Sequence, residues 1–151
     1  MAYIYAVRGW LELSWPDAEI EGVDESEEEH DAKVRRIREM LTSPLSPEEL
    51  EDFEADSPER VKAGWAFPQH DIGATEYVVY AGDIEHPRMV LDQIREVLKM
   101  DPFADGYFSI EGEDGRRYRQ WIIKSGTIYS RNELFPDFDA EGAPEGYVVL
   151  R

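Results

Sequence analysis

Carboxylates are the residues of this chain with the largest capacity for chemistry. It carries 34 Asp and Glu against 16 Lys and Arg, a formal charge of −18 over 151 residues. Two carboxylates set close together can divide the work of general acid and base. Here the acids cluster in predicted loops and on predicted helix faces, where water relieves their repulsion, so abundance alone assigns no catalytic pair. His30, His70 and His86 lack helical or hairpin metal-ligand spacing. His30 sits inside an acidic run and is expected to be a charged surface residue. Cysteine is absent, which removes disulfides, thiolate zinc sites and a thiol nucleophile together. No serine stands in a nucleophile elbow and no glycine loop cradles phosphate. The expectation is a chain that is not an enzyme, with no catalytic residue, no metal ligand and no cofactor.

The acids can instead recognise a partner. Between Asp17 and Glu59 there are 17 of them against Lys33, Arg35, Arg36 and Arg38, which leaves the rest of the chain far less acidic. Such a field repels nucleic acid and anionic membrane and steers a basic protein at short range. The candidate contacts are Asp17, Glu19, Glu21, Asp24, Glu25, Glu27, Glu28, Glu51, Asp52 and Glu54. Two plainer accounts compete. General acidity keeps a protein soluble or suits a salt-adapted host, and acids in a first helical turn complement the helix dipole. Arg116, Arg117 and Arg119 interleave with Tyr118 and Trp121 like a stacking platform for bases. Strand alternation is expected to send these residues to opposite faces, and the net charge opposes nucleic-acid binding.

The elements that must position these residues are legible from period and punctuation. With 42% apolar residues, one domain over 1–151 can bury a core. Residues 3 to 13 alternate as a first strand, with Gly9 marking a bulge or a close backbone approach and Pro16 ending it. Trp10 is expected to be covered, the alternative being an interface anchor. Ser26 and Glu29 have capping-box spacing at the start of a helix whose apolar side is Val34, Ile37 and Leu41, with Met40 beside them. Thr42-Ser43-Pro44 stops it. Ser46-Pro47-Glu48-Glu49 opens a short acidic helix to about Ala55, and Ser57-Pro58-Glu59 could begin another turn. Gly64 to Pro68 reads as an aromatic loop plugging the core edge, and Thr75 to Ala81 as a strand broken by Gly82-Asp83. Pro87 to about Lys99 is a helix with Val90, Leu91, Ile94, Val97 and Leu98 on one side.

The turns Glu113-Asp114-Gly115 and Ser125-Gly126 separate three β-rich runs, Tyr107–Ile110, Tyr118–Ile123 and Thr127–Tyr129, which predict a meander. Phe135 to Asp139 is an acidic loop, and Gly146 to Leu150 a final strand. The predicted fold class is α+β: a mainly antiparallel sheet with two or three helices on one face, a ferredoxin-like core carrying an acidic helical insertion at about 17–69. No apolar run approaches the roughly 20 residues that span a bilayer. The first eight residues lack a basic start and a long apolar stretch, so no signal peptide is read and a cytoplasmic protein is expected.

Two segments resemble a known family. Tyr5-Ala6-Val7-Arg8-Gly9-Trp10-Leu11-Glu12-Leu13 resembles the opening aromatic-x-x-x-Gly-Trp strand of the immunity-protein-seven family of bacterial polymorphic toxin systems. Asp105-Gly106-Tyr107-Phe108-Ser109-Ile110, followed by Gln120-Trp121-Ile122-Ile123-Lys124-Ser125-Gly126, is similar to that family's second landmark. The segment from Asp17 to Gln69 has no counterpart in it. The resemblance implies an α+β cytosolic antitoxin that binds and blocks a cognate toxin. A nuclease is the class whose basic cleft an acidic surface would occupy. Gly9, Trp10 and Trp121 are expected to serve the fold. The competing expectation is a small-ligand or regulatory module with Trp10, Trp65, Tyr80 and Trp121 as walls. An enzyme with a shifted carboxylate pair comes third.

Overall fold

The computed structural model describes residues 3–14, 26–43, 46–52, 64–69, 76–132 and 141–150. Among them, six strands form one antiparallel sheet: β1 (Tyr5–Glu12), β2 (Trp65–Ala66), β3 (Tyr77–Ile84), β4 (Asp105–Gly112), β5 (Tyr118–Lys124) and β6 (Thr127–Asn132). Their order is β2-β3-β1-β4-β5-β6. Three helices accompany them: α1 (Glu27–Thr42), α2 (Pro47–Asp52) and α3 (Pro87–Met100). The fold is α+β, and the meander of β4, β5 and β6 stands where the two turn signals put it.

The dipeptide Gly9-Trp10 in β1 lies at the centre of two neighbouring register rows. One row runs Trp65, Tyr80, Gly9, Phe108, Trp121 and Ser130 across the six strands. Its four aromatic residues are buried and touch in edge-on or tilted geometries, Trp65 to Tyr80 at 5.1 Å and Phe108 to Trp121 at 6.3 Å. Gly9 makes room for them. A Cβ there would stand 2.2 Å from the Tyr107 carbonyl oxygen and 2.4 Å from Phe108 Cδ1. The register is unbroken through Gly9, so close approach and not a bulge explains it. Gly9→Ala is accordingly expected to cost about 1–3 kcal/mol, the range for overpacking a filled core. Chemical denaturation of the variant checks this.

The adjacent row, Ala66, Val79, Trp10, Tyr107, Ile122 and Tyr129, faces the other way because side chains alternate along each strand. Trp10 is 39% exposed there, with its ring 6.2 Å from that of Tyr77. The expectation that Trp10 is covered fails, because alternation sets it on the face opposite the buried row.

The helices supply the other half of the core. Ser26 caps α1 by accepting the Glu29 N–H at 3.2 Å. The 3.6-residue period then brings Val34, Ile37 and Leu41 to one side. In α3 the same period buries Met89, Val90, Ile94 and Val97. Residues of both helices join Val7, Leu11, Val78, Ile110 and Ile123 in one hydrophobic cluster. Two polar residues share these apolar stripes. Gln93 on α3 accepts the Trp65 indole N–H at 2.9 Å and ties β2 to the helix. His30 on α1 is 1% exposed, so the expected charged surface residue is an interior one. It lies one turn before Val34 and shares that helix face.

Three further boundaries differ from expectation. Gly82-Asp83 does not break β3, because Gly82 pairs with Val7 and Asp83 with Ala6, and a full ladder overrides their weak strand propensity. Trp65-Ala66 is a short strand beside β3, not a loop. Gly146 to Leu150 forms no strand: among the described residues it has no ladder partner, and Leu150 is 91% exposed. Pro16, the residues from Phe53 to Glu59 and Phe135 to Asp139 lie outside the described residues. The Ser125-Gly126 turn is as predicted. Both residues have positive φ, 46° and 78°, as a tight hairpin needs, and Asp105 Oδ1 accepts the Ser125 N–H at 2.7 Å.

Tyr80 gives the core a pH signature. It is fully buried, and its hydroxyl has no hydrogen-bond partner among the described residues. Burial first, and the Asp83 carboxylate second, push its pKa from 10.0 up to about 12. Because the folded value lies above the unfolded one, the associated stability is complete below pH 10 and is lost as pH rises towards 12. The loss amounts to about 3 kcal/mol. Tyr80→Phe is expected to unfold less readily than the parent across that alkaline window and to match or slightly exceed its stability at neutral pH. Urea titrations at both pH values measure this.

Candidate functional site

The acidic candidates are built on two helix starts. In α1, Glu27 and Glu28 follow the Ser26 cap, and both side chains are exposed. In α2 the expected Ser46 cap is part of a complete capping box: Ser46 Oγ accepts the Glu49 N–H at 3.2 Å, and Glu49 Oε1 accepts the Ser46 N–H at 3.1 Å. Glu49 is therefore engaged in holding its helix, whereas Glu48 and Glu51 are exposed without that duty. The backbone of Asp52 ends α2. Asp17, Glu19, Glu21, Asp24, Glu25 and Glu54 lie outside the described residues. Each helix start thus presents carboxylates to solvent, with no Lys or Arg in its first turn.

The four rings expected to wall a ligand pocket do not converge. Trp65, Tyr80 and Trp121 belong to the buried register row and fill the core, while Trp10 belongs to the exposed row. Carboxylate chemistry finds no support in the shifted groups either. Asp114 is held below the usual carboxylate range, first by the Tyr3 hydroxyl that donates to it and then by the Arg116 N–H. A general acid needs the opposite shift. Among the described residues, no group of three or more His, Asp or Glu is placed to hold a metal ion. Among the same residues, no helix is long and apolar enough to cross a membrane.

Sequence reading missed a buried polar knot. Asp101, at the end of α3, is completely buried and accepts the Ser14 N–H through Oδ2 at 2.6 Å, the Ser14 hydroxyl and, at 3.3 Å, the Phe103 N–H. Lys33 Nζ lies 3.9 Å from Asp101 and donates to Ser14 Oγ at 3.3 Å and to its carbonyl at 3.4 Å. The signal was present in part: Lys33 stands four residues before Ile37, on the apolar stripe of α1. The knot joins the end of β1 to α1 and α3.

A second feature is a groove of about 1410 Å³ between α3 and β5–β6. Arg116, Arg117, Tyr118, Arg119 and Trp121 all contribute to its lining, and within β5 alternation parts Tyr118 from Arg119 but leaves Arg119 and Trp121 together. Arg116 and Arg117 precede β5, and Arg119 and Trp121 share a strand face. Comparison of the chain with family models, with curated proteins and with solved structures found no match.

Proposed function

We propose that this chain is a proteinaceous inhibitor of the immunity type, which binds a cognate bacterial toxin domain of basic character and blocks it. The observation that carries this is the exposure of the carboxylates of Glu27, Glu28, Glu48 and Glu51 on two separately capped helix starts, while Trp65, Tyr80 and Trp121 are packed in the core. Carboxylates fixed on helices can stand in for the phosphates that a nuclease cleft receives, with little ordering cost on binding. Gly9 and Trp121, two of the positions that carry the family resemblance, are packed within the sheet and core. Contact residues must therefore come from elsewhere, and the acidic turns are available.

The fold proposed for this inhibitor is a ferredoxin-like core of β1 to β4, with α1 and α3 on one face and β5 and β6 added. The strand order β2-β3-β1-β4, with α1 following β1 and α3 joining β3 to β4, supports it. So does the shared cluster of α1 and α3 residues with one face of the sheet.

The test is capture of partners from a lysate of the source organism at low and high salt, with identification by mass spectrometry. One stoichiometric basic protein, bound at low salt and weakened at high salt, is the expected result. Absence of such a partner from cells shown to express their toxins would overturn the proposal.

A further inference from the structure

In a protein with 34 acids, the groove between α3 and β5–β6 is an anomaly of charge. Among the described residues, Arg88, Arg95, Lys99, Arg116, Arg117 and Arg119 line it, six of the chain's 16 basic residues, and no Asp or Glu does. Carboxylates do stand behind the rim. Asp92 pairs with Arg95 at 3.1 Å, Glu96 with Lys99 at 2.7 Å, and Asp114 lies near Arg116 and Arg117. Arg117 donates to the Tyr5 hydroxyl at 3.0 Å and stacks 4.7 Å above the Tyr3 ring, which fixes its fork. Arg119 donates to Asn132 at 3.4 Å. Among the described residues, these six cations thus stand beside three such carboxylates.

Its interior is not polar throughout. Leu91 and Leu98 of α3 face Ile110, Trp121 and Ile128 of the sheet inside the same lining. The occupant must therefore offer carboxylates to the rim and aliphatic or aromatic groups to the floor. Guanidinium forks suit carboxylates, which they grip through two parallel hydrogen bonds. A long nucleic acid would meet the −18 charge of the whole molecule, whereas a short segment with a few carboxylates feels mainly the potential within a Debye length, about 8 Å.

We infer that this groove is a binding site for a short acidic segment of a partner protein, one that alternates carboxylates with apolar side chains. It is a second surface, distinct from the acidic helix starts, and it does not depend on the immunity proposal. The test uses the full chain and a fluorescein-labelled peptide of alternating glutamate and leucine, followed by fluorescence anisotropy. Its glutamine-for-glutamate counterpart and a short oligodeoxythymidine are titrated in parallel. The acidic peptide is expected to bind saturably and about tenfold or more tightly than the glutamine peptide. Arg95→Glu with Arg119→Glu should weaken it by about tenfold or more. The same change of charge at Arg35 and Arg36, exposed on α1 and outside the groove, should change affinity less than about twofold. Circular dichroism verifies that both double variants are folded. No saturable peptide binding, equal losses in the two double variants, or tighter binding of the oligonucleotide than of the peptide would each overturn the inference.

Discussion

Asp101→Ala is expected to destabilise the protein by about 3–5 kcal/mol, the range for breaking a buried charge pair by removing one partner. The carboxylate is completely buried and holds two backbone N–H groups, those of Ser14 and Phe103, as well as the Ser14 hydroxyl. Its loss strands those donors and removes a carboxylate from beside the buried Lys33 ammonium, whose side chain is 8% exposed. Lys33→Met should be milder, because Asp101 keeps all three donors and the apolar chain fills the lysine's path along the α1 stripe. Domains of this kind have only about 5–15 kcal/mol to lose, so the alanine variant should unfold at much lower urea than the methionine variant. Equal midpoints for the two would show that Asp101 works only as the counter-ion of Lys33.

Reversing the exposed acids gives the largest functional effect. With Glu27, Glu28, Glu48 and Glu51 all changed to lysine, association with the captured partner should slow by about 10- to 100-fold at low ionic strength. Dissociation should change much less, because rim charges act mainly during encounter. The difference between parent and variant should shrink as salt is added. Glu49 is left in place, since its carboxylate closes the α2 capping box and its loss would confound binding with helix stability. Glu27 and Glu28 do support the α1 dipole, at about 0.3–1 kcal/mol each. Circular dichroism separates that modest cost from the kinetic effect. Stopped-flow association rates that do not change would remove these carboxylates from the mechanism.

The outcome of reading the sequence follows from which forces act locally. The meander and the α1 and α3 stripes were legible because turn glycines and the periods of two and 3.6 are written in consecutive residues. The carboxylates of α1 and α2 were legible as exposed for the same reason. What tertiary pairing decides was not. Gly82 and Asp83 look like a strand end until β1 is laid beside them, and Trp10 looks like a core residue until the face it points to is known. Lys33 and Asp101 are 68 positions apart yet meet inside the fold, and the groove gathers arginines from α3 and from the approach to β5. No local pattern announces such meetings. Their partial trace is a polar residue on an apolar helical stripe, as with Lys33, His30 and Gln93.

The central claim is inhibition of a toxin, and a growth assay tests it most directly. The captured basic partner is expressed from an inducible promoter in a host that lacks it, alone and together with this chain. The account predicts growth arrest with the partner alone and restored growth with the pair. A partner that leaves growth untouched, or one whose toxicity persists when this chain is co-expressed and bound, would contradict it.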